Sequence, residues 1–127
     1  MKFQEILAIP LLKGHIAFRH IEDILYIKSD DTICHLYLTE NEKLVSPRPL
    51  SFYKNLLEEQ YLFIAFSQSL IIQFKHIDNY DNSNQEIILK NGVKLPISRR
   101  GASNFKLLIS RNSILGKSST NKKGDIL

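Results

Sequence analysis

The sequence predicts a mainly β domain built of antiparallel hairpins with one or two short helices, and three observations carry that reading. Apolar and polar residues alternate with a period of two in Leu25–Lys28, Ile33–Leu38 and Val93–Ser98. Polar turn clusters, Ser29–Thr32, Thr39–Glu42, Ser67–Ser69 and Asn91-Gly92, punctuate the chain at short intervals. A helical period is clear only over Leu50–Gln60.

Taken in order, Phe3–Ile9 reads as a first strand ended by Pro10, and Gly14 supplies a turn into His15–Phe18. His20–Glu22 begins as a turn and becomes a strand in which Leu25 and Ile27 alternate with Tyr26 and Lys28. A polar loop, Ser29–Thr32, separates it from Ile33–Leu38, where Cys34, Leu36 and Leu38 oppose His35 and Tyr37. Lys43–Val45 returns as a strand toward Pro47 and Pro49, whose fixed φ and missing N–H oppose further central pairing. Leu50–Gln60 then places Leu50, Tyr53, Leu56 and Leu57 on one helical face, with Ser51 as a candidate N-cap. Tyr61–Phe66 and Leu70–Phe74 are buried strands, because both are runs of β-branched, aromatic and leucine side chains. Asp81–Gln85 is a polar turn. Ile87–Leu89 and Val93–Ile97 form a hairpin about Asn91-Gly92, the dipeptide best suited to a type I′ turn because both central residues need positive φ. Ser98 can cap a second helix just before Arg99 and Arg100, although Gly101 weakens that first turn and leaves Ser103 or Asn104 as the alternative start. Phe105, Leu108 and Ile109 would be its buried face. Beyond Ser110 the pattern is lost, so 111–127 reads as a basic, flexible tail with Ile114 and Leu115 as a last contact.

A chain of 127 residues, 43% hydrophobic and 24% charged, fits one globular domain over 1–110. No apolar run approaches the roughly 20 residues of a membrane-spanning helix, and no secretory signal is recognisable, so a cytoplasmic protein with no membrane partner is expected. One cysteine, Cys34, cannot form an internal disulfide, and the scattered His15, His20 and His76 offer no metal site. No serine has a recognisable His/Asp partnership, which sets enzyme chemistry aside. Net charge is +4, unevenly spread: residues 1–89 hold eight Lys/Arg against twelve Asp/Glu, whereas 90–127 hold nine against Asp125 alone. A basic end of that kind attracts phosphates, and it is also common as a plain solvated surface.

The order of these pieces resembles the LytTR-type DNA-binding domain, the output module of many bacterial response regulators. The likeness spans roughly Ile16–Ile109. It rests on Ile21-Glu22-Asp23-Ile24-Leu25-Tyr26-Ile27 with its polar loop, Leu50–Phe63, Ser69-Leu70-Ile71-Ile72 with Ile77, and Leu89-Lys90-Asn91-Gly92 through Pro96-Ile97-Ser98-Arg99-Arg100. Each piece alone is unspecific, and their joint order is what carries the resemblance.

The resemblance implies an elongated, mostly antiparallel β fold whose loops enter the major groove of double-stranded DNA, with no cofactor and no catalytic residue. Carried over by position, Lys28–His35 would be a reading loop that includes Lys28, Thr32 and His35. Gln73 would stand at the family's usual asparagine, and Arg99 or Arg100 at its basic corner. Arginine can bond guanine bidentately and glutamine adenine, while Lys28, Lys75 and Ser69 would hold phosphates. Beside these readings stand plainer ones: Gln73 as the end of a buried strand bonded to backbone, His35 as a solvent-facing strand residue, Arg99 and Arg100 as a solvated corner. This chain departs from the family where an arginine, a histidine and a second basic residue become Ala65, Ser67 and Gln68, and only Ser69 keeps the pattern. Those neutral replacements remove charge-assisted bonds, and Asp30 and Asp31 bring the wrong sign to the reading loop. The leading expectation is a sequence-specific transcription regulator standing without a receiver domain or taken from a longer one. It leaves room for a homodimer on repeated sites and a separate signalling partner. The alternative is a protein-interaction or dimerisation module on the same fold with weak or lost DNA binding.

Overall fold

A computed structural model describes residues 5–111. Phe3, at the start of the expected first strand, and the expected tail, with Ile114, Leu115 and everything else beyond residue 111, lie outside the described residues. The chain divides into two compact units, 1–76 and 77–127.

In the first unit, β1 (Ile6–Pro10) and β2 (Ile16–His20) form a two-stranded antiparallel hairpin. Pro10 is the last residue of β1, paired with Ile16, and so sits at the strand end where a missing N–H costs least. The connection closes through the Leu11 N–H donating to the His15 carbonyl at 2.7 Å, with Lys13 and Gly14 at φ +62° and +80°.

The larger sheet has the order β5-β4-β3-β7-β6, every pair antiparallel. Its strands are β3 (Ile24–Asp30), β4 (Ile33–Leu38), β5 (Lys43–Ser46), β6 (Phe63–Ser67) and β7 (Leu70–Gln73). The period of two sorts them into two faces. Ile27, Leu36, Ile71 and Leu44 lie across one face with Cys34 and Phe63, and these join Leu7, Ile9, Leu50, Tyr53 and Leu57 in one apolar cluster. The other face carries Tyr26 and Tyr37, stacked at 4.5 Å, and the Lys28–His35 pair.

Helix α1 (Leu50–Leu57) covers the apolar face. Pro49, not Ser51, occupies its N-cap position, with no side-chain cap, and Leu50 is its first, buried residue. The proline pair before it already restricts the entry, which makes a hydroxyl cap dispensable. Leu56, expected on the buried face, is 45% exposed. Tyr53 is fully buried, and its hydroxyl meets the Ser46 hydroxyl at 2.6 Å, so the polar end of an otherwise apolar side chain is satisfied. Burial pushes the Tyr53 phenol above its usual range, opposed in part by that bond.

The second unit contains a strand the sequence pattern hides. β8 (Ile77–Asp81) shows no clear alternation because only Ile77 and Tyr80 are large and apolar, and its last residue begins the expected polar turn, yet it pairs with β9 (Glu86–Leu89), which pairs in turn with β10 (Lys94–Pro96). The β9–β10 connection differs from the type I′ turn expected of Asn91-Gly92. Gly92 alone takes positive φ, +93°, while the Gly92 N–H donates to the Leu89 carbonyl and the Leu89 N–H to the Val93 carbonyl, each at 2.9 Å. That is a three-residue loop, a tight turn followed by a left-handed glycine. The Asn91 side chain accepts the Val93 N–H at 3.0 Å, giving Asn91 a use that leaves its φ negative.

Helix α2 (Arg99–Arg111) settles the open boundary. Ser98 Oγ accepts the Gly101 N–H at 3.0 Å and the Ser98 carbonyl accepts the Ala102 N–H at 2.9 Å, so the cap holds and the helix starts at Arg99 rather than at Ser103 or Asn104. Its buried residues are Gly101, Ala102 and Phe105; Ile109, expected there, is 41% exposed and Leu108 only half-buried. Phe105 meets Tyr80 edge-on at 5.7 Å. The small residues at 101 and 102 occupy the buried side of the first turn, which a search for large apolar residues overlooks.

Candidate functional site

The expected reading loop is mostly ladder. Lys28 stands opposite His35, Ser29 opposite Cys34 and Asp30 opposite Ile33, leaving only Asp31 and Thr32 outside the strands, with Asp31 at φ +65°. The sheet thus ends in a stiff hairpin tip. Beside it lies the β6–β7 turn, because β7 pairs with β3 through Leu70 and Lys28, and the Ser29 N–H donates to the Ser69 carbonyl at 2.9 Å. In that turn the Ser67 hydroxyl accepts the Ser69 N–H at 3.1 Å, and the two serine hydroxyls lie 3.2 Å apart. Gln68, between them, is exposed. One end of the five-stranded sheet therefore presents Lys28, Thr32, Gln68 and Ser69 together on short, hydrogen-bonded connections.

His35 joins this group by register and lies half-buried on the face of Lys28, Tyr26 and Tyr37. Its Nδ1 is buried without a hydrogen-bond partner. In the next row Lys43 stands opposite Tyr37, its Nζ 5.4 Å from the ring centre. Aromatic rings and cations interleave on this face. Burial raises the Tyr26 phenol above its ordinary value, with Tyr37 adding to the shift, so the Tyr26 ring stays neutral at neutral pH.

Gln73 has a different place. It is 5% exposed, at the far end of β7 from Ser69, and its Nε2 donates to the Ile24 carbonyl at 2.7 Å and the Ile21 carbonyl at 3.1 Å. Both amide hydrogens are engaged in tying β7 to the turn that leads into β3, the plainer of the two roles expected of this residue. Lys75 follows in a short turn at that same far end and pairs with Glu22 at 2.9 Å, both exposed. That bond holds the Glu22 carboxyl below its usual range. Neither Gln73 nor Lys75 belongs with Lys28, Thr32 and Ser69.

In the second unit Arg99 and Arg100 occupy the first turn of α2 and are exposed. The Ser98 cap fixes where that turn begins, and neither arginine has an ion pair among the described residues.

Two residues of interest escape a reading of the sequence alone. Gln68 looks like a lost cation, whereas the β6–β7 turn leaves its amide exposed outside the ladder. Ala65, read the same way, packs against the apolar cluster opposite Ile71. Arg48 is exposed between Pro47 and Pro49, its guanidinium carbon 5.7 Å from the Phe52 ring centre. The proline bracket was its signal. Cys34 is fully buried, and burial pushes its thiol up to about 11, which leaves it without thiolate character. Among the described residues no group of His, Cys, Asp and Glu could hold a metal ion, and no helix is long and apolar enough to cross a membrane.

Comparison with known proteins bears on this geometry. A family model described as the LytTr DNA-binding domain matches residues 14–110. Among solved structures, the LytTr DNA-binding domain of a Bacillus cereus protein described as a methyl-accepting/DNA response regulator superposes with a TM-score of 0.67 at 20% identity. The match covers 84% of this chain and 98% of that one. No curated protein matches the chain.

Proposed function

The chain belongs to the LytTr DNA-binding domain family, a family of DNA-binding domains and not of enzymes, and from that premise we propose that it is a regulator that reads duplex DNA by sequence. The single observation that supports this most is the sheet end where Thr32, Gln68 and Ser69 project beside Lys28. An exposed amide on a turn braced by three hydrogen bonds is suited to a base edge, because little side-chain and loop freedom remains to be lost on binding. Lys28 and Ser69 supply phosphate contacts that set register, and Arg99 and Arg100 supply a second cationic contact from the α2 turn. Gln73 and Lys75 stand outside the interface. Gln73 holds the scaffold, and Lys75 is neutralised by Glu22.

The experiment is selection from a pool of random duplexes followed by a salt titration on the enriched motif. A short enriched motif with affinity falling steeply as salt rises supports the reading; absence of any binding at low salt refutes it.

A second reading, homodimerisation through protein contacts, is favoured by the β1–β2 hairpin. Its outward row, Ile6, Ala8, Ile16 and Phe18, holds three large apolar side chains that are each more than half exposed, at 57%, 56% and 62%. Sedimentation of the protein without DNA, compared with a Phe18→Ser variant, tests it.

A further inference from the structure

Between the β1–β2 connection and the Pro47–Pro49 link, the first unit has a groove of about 460 Å³ whose lining includes Lys13, His15, Pro47 and Arg48 and contains no carboxylate. We propose that this groove is an anion site that takes a backbone phosphate of the DNA flanking the segment contacted by Thr32, Gln68 and Ser69. The proposal rests on the DNA-reading function above and adds to it a phosphate contact on a different part of the surface.

Position comes first. β5 ends with Ser46 opposite Cys34, one residue from the start of β4, so the chain leaves the sheet at the end that carries the Asp31-Thr32 tip. Arg48 follows two residues later, and the groove extends from it to Lys13 in the β1–β2 connection. The groove thus adjoins the sheet end already assigned to bases and phosphates.

Charge comes second. The ion pairs among the described residues, Arg19–Glu42 and Lys75–Glu22, use neither Lys13 nor Arg48. Two cations line one concavity with an imidazole and without a balancing acid, in a part of the chain, 1–89, where acids outnumber bases by twelve to eight. An unneutralised cation pair in an otherwise acidic half of the sequence concentrates positive potential at that concavity.

Preorganisation comes third. Proline on either side restricts the backbone at Arg48, and the Phe52 ring supports the face of its guanidinium. The N–H donors lie along the guanidinium edge, in the fork that matches two oxygens of a phosphate. A lysine from a short turn adds a second charge without demanding a fixed geometry.

The test compares wild type, Lys13→Gln, Arg48→Gln, the double variant and Arg48→Lys as full chains. Binding is measured to the selected motif on a duplex with long flanks and on one trimmed to the motif, across a salt series. On the flanked duplex the double variant should lower the slope of log affinity against log salt by about 1, since the one phosphate it ceases to neutralise contributes about 0.9. Affinity at low salt should fall several-fold there and stay unchanged on the trimmed duplex, and Arg48→Lys should keep most of the slope. An unchanged slope on the flanked duplex overturns the proposal. Wild type that binds no duplex at low salt refutes the DNA-reading function itself, a result visible before any variant is made. Calorimetry with inorganic phosphate separates the sources: phosphate uptake abolished in the double variant, with the DNA slope unchanged, assigns the groove to a free anion and also overturns the proposal. Thermal unfolding of each variant confirms folding, and Lys13→Gln alone carries the test if loss of the Phe52 support unfolds Arg48→Gln.

Discussion

Replacing Gln73 by leucine separates scaffold from interface. Leucine keeps most of the volume and the apolar stem but removes an amide that donates to Ile24 at 2.7 Å and to Ile21 at 3.1 Å. The two losses are unequal. The Ile21 carbonyl also accepts the Ile24 backbone N–H and keeps that partner, so its share is a net hydrogen bond of about 1 kcal/mol or less. The Ile24 carbonyl belongs to a fully buried residue, and losing its amide donor there costs about 1–3 kcal/mol. The sum, about 1–4 kcal/mol, is offset in part by the better transfer of leucine into an apolar site, which leaves an expected loss of about 2 kcal/mol. Urea unfolding reads this as a lower midpoint at unchanged slope. Once folded at low temperature, Gln73→Leu should bind the selected motif with wild-type sequence preference and salt dependence. A variant within about 0.5 kcal/mol of wild type that has lost preference at one base pair would refute the reasoning, because it would make Gln73 a reader after all.

Gln68→Ala should behave in the opposite sense: affinity for the selected motif falls by about 1–3 kcal/mol while stability stays within about 0.5 kcal/mol, measured by anisotropy and urea unfolding. Arg99→Ala with Arg100→Ala should weaken binding to all sequences alike and lower the salt slope by about 2, with helix content by circular dichroism preserved because the Ser98 cap remains. The Arg19–Glu42 bond, Nε to Oε1 at 2.8 Å, holds the Glu42 carboxyl below its usual value near 4.5. Its folded pKa is depressed, so the stabilisation is present above pH 4.5 and is lost as pH falls through the folded value. With both side chains about a third exposed, 35% each, the contribution is about 0.5–1 kcal/mol at most. Wild type should therefore exceed Glu42→Gln by that amount at pH 7, and the two unfolding curves should converge on acidification below pH 4.5.

The legible parts of this chain are those where one period dominates. Leu25–Lys28 and Ile33–Leu38 alternate cleanly because one face meets a core and the other carries Tyr26, Lys28, His35 and Tyr37, and α1 announces itself through Leu50, Tyr53 and Leu57. β8 stays hidden for the opposite reason: it is an edge strand paired only with β9, so Asp78, Asn79 and Asp81 can be polar while the backbone still pairs. The turn at Asn91-Gly92 shows a second limit, since the dipeptide suits two loop lengths and the register of Lys94 against Ile88 selects the longer.

The candidate site exposes a third limit, which concerns glutamine. Gln68 and Gln73 are five residues apart, and composition and spacing cannot tell which amide faces solvent. What distinguishes them is the turn between β6 and β7. Ser67 and Ser69 bond to each other and to backbone, which fixes the turn and leaves Gln68 outside the ladder. Gln73 comes after three buried apolar residues, Leu70, Ile71 and Ile72, and inherits their environment, where a polar group persists only when its hydrogens are satisfied. A loss of cations at Ala65, Ser67 and Gln68 then has a different meaning from a loss of function. Ala65 packs inward, the serines brace the turn, and the remaining amide is neutral, so on the proposed reading this turn would contribute base discrimination rather than salt-dependent affinity. The same reading assigns the cationic share to Lys28, to Arg99 and Arg100, and to the proposed Lys13–Arg48 groove. If so, Gln68→Ala leaves the salt slope intact while erasing preference at its base pair, and Lys28→Gln lowers the slope by about 1 while sparing that preference. Finding both effects in the same variant would show that the division of labour is wrong.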